Sequence, residues 1–194
     1  MACLFADSNG LPLPEANVRI NERKGQDGLR ERTATIIAEI EAAFDSVSRD
    51  GGVSLHQADA IDDYASGTEQ EEARKIDRDS RWQDVPDDQI AAHCDALSFL
   101  DAIGFRYYIP AFMVWMLKDP ARMDLNTSAS TVFALTQPVC KNPADEKYKK
   151  YSQFTDQQRS AIGHFLEHLC ELGFEDPDSR PMKRSLRYWL QEGA

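Results

Sequence analysis

The chain has 194 residues, 42% hydrophobic, 28% charged and 9% aromatic, the balance of an ordinary soluble globular protein and not of a disordered or fibrous one. Its longest apolar run, Ile109 to Leu117, is about half of the ~18 residues that cross a bilayer, and the N-terminus lacks the basic and apolar regions of a secretory signal, so a cytoplasmic location is expected. The net charge of −11 repels phosphate backbones and anionic lipid, which argues against nucleic acid or a membrane as partner.

Residues 1–28 hold Gly10, Pro12, Pro14, Gly25 and Gly28 with little periodicity and read as an irregular arm before a single domain over 29–194. From Leu29 the residues Ile36, Ile37, Ile40, Ala43, Phe44 and Val47 recur at helical spacing, and Asp50-Gly51-Gly52 ends that helix. Ser54 with Gln57 forms a capping box that opens a second helix to about Ala65. On it Asp62 falls within the apolar arc, where an unpaired carboxylate is costly. Ser66-Gly67 closes the helix, and Thr68 to Arg81 fits either a solvated helix or a loop. Asp84, Pro86, Asp87 and Asp88 suit a helix entry, and a third helix carries Ile90, Cys94, Leu97 and Leu100. Asp101 to Gly104 turns the chain. Pro110 then reads as the first-turn residue of a helix whose Phe112 to Leu117 cover every face, the buried centre of the domain. Ser128 to Thr136 is taken as helical and Pro138 to Ser152 as a loop. Thr155 and Gln158 make another capping box for a helix with Ile162, Phe165, Leu166, Leu169 and Leu172, stopped by Gly173, and the last helix covers roughly Pro181 to Gln191. The expected fold is all-α, a single compact domain of about six helices around a buried central helix.

Trp82-Gln83-Asp84-Val85-Pro86 and the run from Leu97 to Met113, LSFLDAIGFRYYIPAFM, with Ala60 to Ser66 beside them, resemble a bacterial family of proteins of about this length catalogued as a domain of unknown function. The resemblance covers roughly Ile36 to Phe174. It implies a small, mostly helical bacterial protein and supplies no catalytic residue.

Charge is unevenly placed. Residues 1–58 carry six basic and nine acidic side chains, 59–95 carry four and twelve, and 96–194 carry twelve of each. Eight of the eleven net negative charges therefore fall in one short segment, which reads most simply as a solvated loop and otherwise makes one face a candidate for a basic protein partner or for cations. Cys3, Cys94, Cys140 and Cys170 are scattered and read as reduced thiols, with Cys94 and Cys170 as small buried hydrophobes. His164, His168 and Glu171 have the spacing of metal ligands but fall on the side of their helix opposite Phe165 and Leu169, so a solvated face is the better reading. Lys147 to Tyr151 alternates basic and aromatic residues in what reads as a solvated loop. No serine elbow, phosphate loop or dinucleotide-binding glycine pattern is present, and no cofactor is expected.

Arg106 stands out because a guanidinium within Ile103 to Leu117 must reach the surface or meet a carboxylate. The candidate cluster is Asp62, Asp63, Trp82, Asp84, Asp101, Arg106 and Tyr108, in which Asp62, then Asp101, then Asp84 is the expected partner of Arg106. Two functions follow. The first is a non-enzymatic protein-interaction domain, adaptor or antidote-like by analogy, that binds through its acidic face. The second is a small hydrolase or anionic-ligand-binding protein that uses the Trp82, Arg106 and Tyr108 region with Asp62 or Asp63.

Overall fold

A computed structural model of the chain describes residues 15–136, 144 and 146–190. All regular structure among them is helical, as the sequence periodicity indicates. The chain divides into two units, Met1–Thr35 and Ile36–Ala194. Helix α1 (Glu15–Phe44) begins in the first unit and ends in the second. Residues 15–28 are thus helical and not an irregular arm, while 1–14 lie outside the described residues. The reading overweighted Gly25 and Gly28: each costs a helix about 1 kcal/mol relative to alanine, and the residues around them are mostly good helix formers.

The second unit holds the core. The chain continues through α2 (Leu55–Asp62), α3 (Gly67–Arg74), a 3-10 turn (Trp82–Asp84), α4 (Asp87–Ala92), α5 (Ala96–Phe99) and α6 (Ala102–Lys118). After a 3-10 turn (Pro120–Arg122) come α7 (Asn126–Thr136), α8 (Glu146–Ser152), α9 (Asp156–Glu171) and α10 (Arg180–Trp189). The short α3, α4, α5 and α8 are what take the count above six. Helix α6 is buried over almost all its surface from Gly104 to Leu117. It packs against α4, α5, α7 and α8, while Phe105, Tyr151, Phe154 and Trp189 form a chain of edge-to-face rings with centroids 5.5 to 6.1 Å apart.

Several boundaries differ from expectation for local reasons. Helix α2 stops at Asp62, and Tyr64, at φ 56°, takes the left-handed conformation that ends it. Ser66 does not close α2. It caps α3 in a reciprocal box with Glu69. The third helix breaks at His93, whose ψ of 50° separates α4 from α5. Asp84 is not the cap of α4, since Pro86 occupies that position. Helix α6 starts at Ala102 and runs through Pro110, although proline there removes the hydrogen bond to the Arg106 carbonyl. Burial of apolar side chains on every face outweighs that loss. Residues 146–152, expected in a loop, are helical, and Tyr151 is buried with its hydroxyl donating to the Ala134 carbonyl at 2.5 Å.

Asp101 closes the frame around α6. Its Oδ1 accepts from Gly104 N at 2.8 Å as the helix cap and also from Val53 N at 3.0 Å. The backbones meet so closely that a Cβ on Gly104 would lie 2.3 Å from the Val53 carbonyl oxygen, and one on Gly52 would lie 2.6 Å from Gly104 N. The chain therefore leaves this point at Val53 and returns to it at Asp101, carrying the acidic segment between.

Candidate functional site

The acidic segment is not uniformly solvated. Two of its carboxylates, Asp77 and Asp79, turn inward, with 0% and 4% of their side chains exposed. Arg49, just beyond α1, meets both stretches: Nη2 donates to the Asp77 carbonyl at 2.9 Å, Nη1 donates to the Tyr108 hydroxyl at 2.5 Å and lies 3.8 Å from Asp79 Oδ2. The Tyr108 hydroxyl donates in turn to Asp79 Oδ2 at 3.3 Å, and Tyr107 donates to the Asp79 carbonyl at 3.3 Å. Burial first, and the adjacent Asp79 next, push both tyrosine hydroxyls well above their ordinary range. This network joins the segment after α3 to the middle of α6.

Asp77 carries the network outward. Its Oδ2 accepts from His56 N at 3.0 Å and its Oδ1 lies 2.7 Å from His56 Nδ1. The His56 ring packs edge-to-face on His93, with centroids 4.5 Å apart, and His93 Nδ1 is 2.5 Å from Asp59 Oδ2. Two imidazoles in contact are thus each oriented by a carboxylate at Nδ1. His93 is buried in the wall of a shallow groove between α2 and the α4–α5 link, lined by Asp59, Asp62, Asp63, His93, Cys94 and Asp95. Asp62, Asp63 and Asp95 are exposed there. The Cys94 thiol is pushed up by burial and then by Asp95, to which it donates at 3.5 Å, so it stays a protonated thiol and not a nucleophile.

The seven residues singled out from the sequence do not converge on one cavity. Asp62 and Asp63 share the groove. Trp82 is buried, with Nε1 donating to the Phe44 carbonyl at 2.9 Å. Asp84 is exposed in its 3-10 turn, and Asp101 serves as the α6 cap. Arg106 and Tyr108, two apart on one helix, project in nearly opposite directions. Tyr108 reaches Arg49, whereas Arg106 Nε donates to Gln158 Oε1 at 3.1 Å. None of Asp62, Asp101 or Asp84 pairs with Arg106, and the expected contact is replaced by a neutral one. Gln158 is itself buried and fixed by donating to the Ala43 carbonyl at 3.1 Å. The reason is that α2 ends at Asp62, which leaves that carboxylate exposed instead of on a packed face.

The sequence singles out Asp59, Asp77 and Asp79 only as carboxylates numerous enough to hold a divalent cation, with the Asp77-x-Asp79 pair lacking the glycine and distal glutamate of a calcium loop, and it places His56 off the apolar face and His93 at the edge of its stripe. Arg49 carries no signal there, and nothing in the sequence pairs these histidines with those aspartates. Of the other readings, His168 is fully buried with Nδ1 2.8 Å from Glu171 Oε2, not on a solvated face, and His164 meets Glu39 at 2.8 Å. Cys94 and Cys170 are free and half-buried, and Cys3 and Cys140 lie outside the described residues. No group of three or more metal-ligating side chains gathers among the described residues, and none of their helices is long and apolar enough to cross a membrane.

Comparison with curated proteins and with solved structures finds no match. A family model described as Family of unknown function (DUF6714) matches residues 32–193, a longer span than the motif words alone suggested. By that match over most of its length, the chain belongs to this family of unknown function.

Proposed function

We propose that the protein is an interaction domain whose groove between α2 and the α4–α5 link receives a basic segment of a protein partner, in an adaptor or antidote-like role. The observation that carries the reading is the state of Asp62 and Asp63. Both are exposed, and neither is engaged by a cation of its own chain among the described residues, whereas Asp77 and Asp79 nearby are buried and bonded. A groove bearing Asp59, Asp62, Asp63 and Asp95 concentrates negative potential between low-dielectric walls, which raises the capture rate of a basic segment more than it raises affinity.

The groove holds no activated nucleophile, and no positively charged side chain lines it, so binding fits its chemistry better than an acid–base reaction on an anionic substrate. Titration with a hexalysine peptide at low salt, followed by amide chemical shifts, is expected to perturb Asp59 to Asp63 and Ala92 to Asp95 first. Reversal of Asp62 and Asp63 together to lysine is expected to weaken the peptide by roughly tenfold or more. The same reversal at Asp84, exposed but outside the groove, is expected to change it little. Equal effects at both places, or shift changes centred elsewhere, overturn the assignment.

A further inference from the structure

We propose that the cavity walled by the 3-10 turn at Trp82–Asp84, the start of α4 and the later turns of α6 binds a small amino-acid zwitterion of about the size of glycine. The site is separate from the acidic groove and stands without it. Three polar groups of different kinds line this cavity with no partner of their own among the described residues. Gln83 Oε1 is buried and accepts no hydrogen bond. Glu41, from α1, and Lys118, from the last turn of α6, are exposed at its edge, and neither forms an ion pair. The remaining carboxylate, Asp87, is already taken. Its Oδ2 accepts from Arg122 Nη2 at 2.8 Å, and that guanidinium lies 4.7 Å over the Trp115 ring. Trp82 and Trp115 complete the walls, with 2% and 4% of their surface exposed.

The three groups select the ligand between them. A buried amide oxygen without a donor carries a desolvation cost that a ligand N–H removes. A plain cation answers Gln83 and Glu41 but is repelled by Lys118. A plain anion is repelled by Glu41 and leaves Oε1 without a donor. A molecule with an ammonium at one end and a carboxylate at the other satisfies all three: the ammonium donates to Gln83 Oε1 and faces Glu41, while the carboxylate accepts from Lys118 Nζ. Walls of indole exclude water and strengthen each of these contacts. Volume sets the size. The cavity measures 50 Å³, and a single water takes about 10–15 Å³ on that scale, so it admits about four or five non-hydrogen atoms and no bulky side chain.

The indole N–H signals of the three tryptophans provide the test at neutral pH, because Trp189, packed on Tyr151 and Phe154, does not line the cavity. Glycine added to the native chain is expected to move the Trp82 and Trp115 signals with a Kd of about 1 mM or below, and to leave Trp189 in place. Glycinamide lacks the carboxylate, acetate lacks the ammonium, and trimethylglycine lacks every N–H. Each is expected to bind weaker than glycine by roughly tenfold or more. Lys118→Met, at an exposed position, is expected to erase the advantage of glycine over glycinamide, and Gln83→Met to reduce its advantage over trimethylglycine. No shift with glycine, equal responses to all four compounds, or a Trp189 signal that moves as far as the other two overturns the proposal. Glycine binding that is unchanged in Lys118→Met does so as well. Acetate that binds as tightly as glycine overturns it too, since the Gln83 amide would then turn its nitrogen inward. Should Gln83→Met fail to fold, the four compounds on the native chain and on Lys118→Met decide.

Discussion

Loss of the Tyr108 hydroxyl would take from Arg49 its closest acceptor and from Asp79 a donor. Tyr108→Phe is expected to cost roughly 1–3 kcal/mol, the range for stranding buried polar groups. Arg49→Met leaves Asp79 buried with only the tyrosine hydroxyl and is expected to cost more, roughly 3–5 kcal/mol. Urea unfolding of both single variants and the double variant checks this, since a shared network requires losses that fall short of additivity by about 1 kcal/mol or more. Additive losses would mean that Arg49 and Tyr108 act separately. At this scale the sequence was least legible. Arg49 precedes Asp50-Gly51-Gly52 and looks like the frayed, solvated end of a helix, and nothing in periodicity links it to Asp77 or Asp79 some thirty positions on. Arg106 attracted attention for its apolar surroundings, yet a buried neutral amide, Gln158, satisfies it, and amides leave no charge pattern to read.

Among the elements, the start of α6 offers a sharper test than its middle. Asp101→Ala removes the acceptor of both Gly104 N and Val53 N and is expected to cost about 2 kcal/mol, the upper end for a lost cap. Gly104→Ala is expected to cost more, because its Cβ would meet the Val53 carbonyl at 2.3 Å, and backbone yields less readily than a side-chain tip. Thermal melts of the two variants rank them, and a Gly104→Ala chain as stable as the native one would refute the close approach. Capping boxes were the legible part here: Ser54 with Gln57 and Thr155 with Gln158 stand where spacing placed them. Pro110 misled because proline marks first turns in exposed helices, whereas a helix buried on every face tolerates it within. The break at His93 was hidden because Ile90, Cys94 and Leu97 keep helical spacing across it.

For the whole molecule, buried tyrosines tie stability to alkaline pH. Burial, and then Tyr188, push the Tyr151 hydroxyl from its ordinary 10.0 up to about 12, and Tyr107 and Tyr108 move the same way. The folded chain therefore keeps protons that the unfolded chain has already lost above 10, so stability is intact below that value and falls as pH rises towards 12. A loss of roughly 2 kcal/mol from Tyr151 alone follows from the size of the shift. Urea midpoints compared at neutral and strongly alkaline pH check it, with Tyr151→Phe expected to flatten the decline; equal slopes for the two chains would contradict it. The helical class was readable at this scale because Ile36 to Phe44 and Ile162 to Leu169 bury one stripe each. The inward turn of Asp77 and Asp79 was not, because composition counts a carboxylate without saying which way it faces.

The meeting of Gly52 and Val53 with Asp101 and Gly104 also bears on how the acidic segment can vary. A loop whose two ends are pinned together pays for closure mainly once, and doubling its length adds only about 0.6 kcal/mol. Residues added at Tyr64, 95% exposed in the link between α2 and α3, lengthen a loop already closed, while Arg74 at the end of α3 still donates to the Asp50 and Gly51 carbonyls. They leave the cap of α6 and the Arg49 network in place, so the reach and charge of the segment are free to change while the frame that carries it stays fixed.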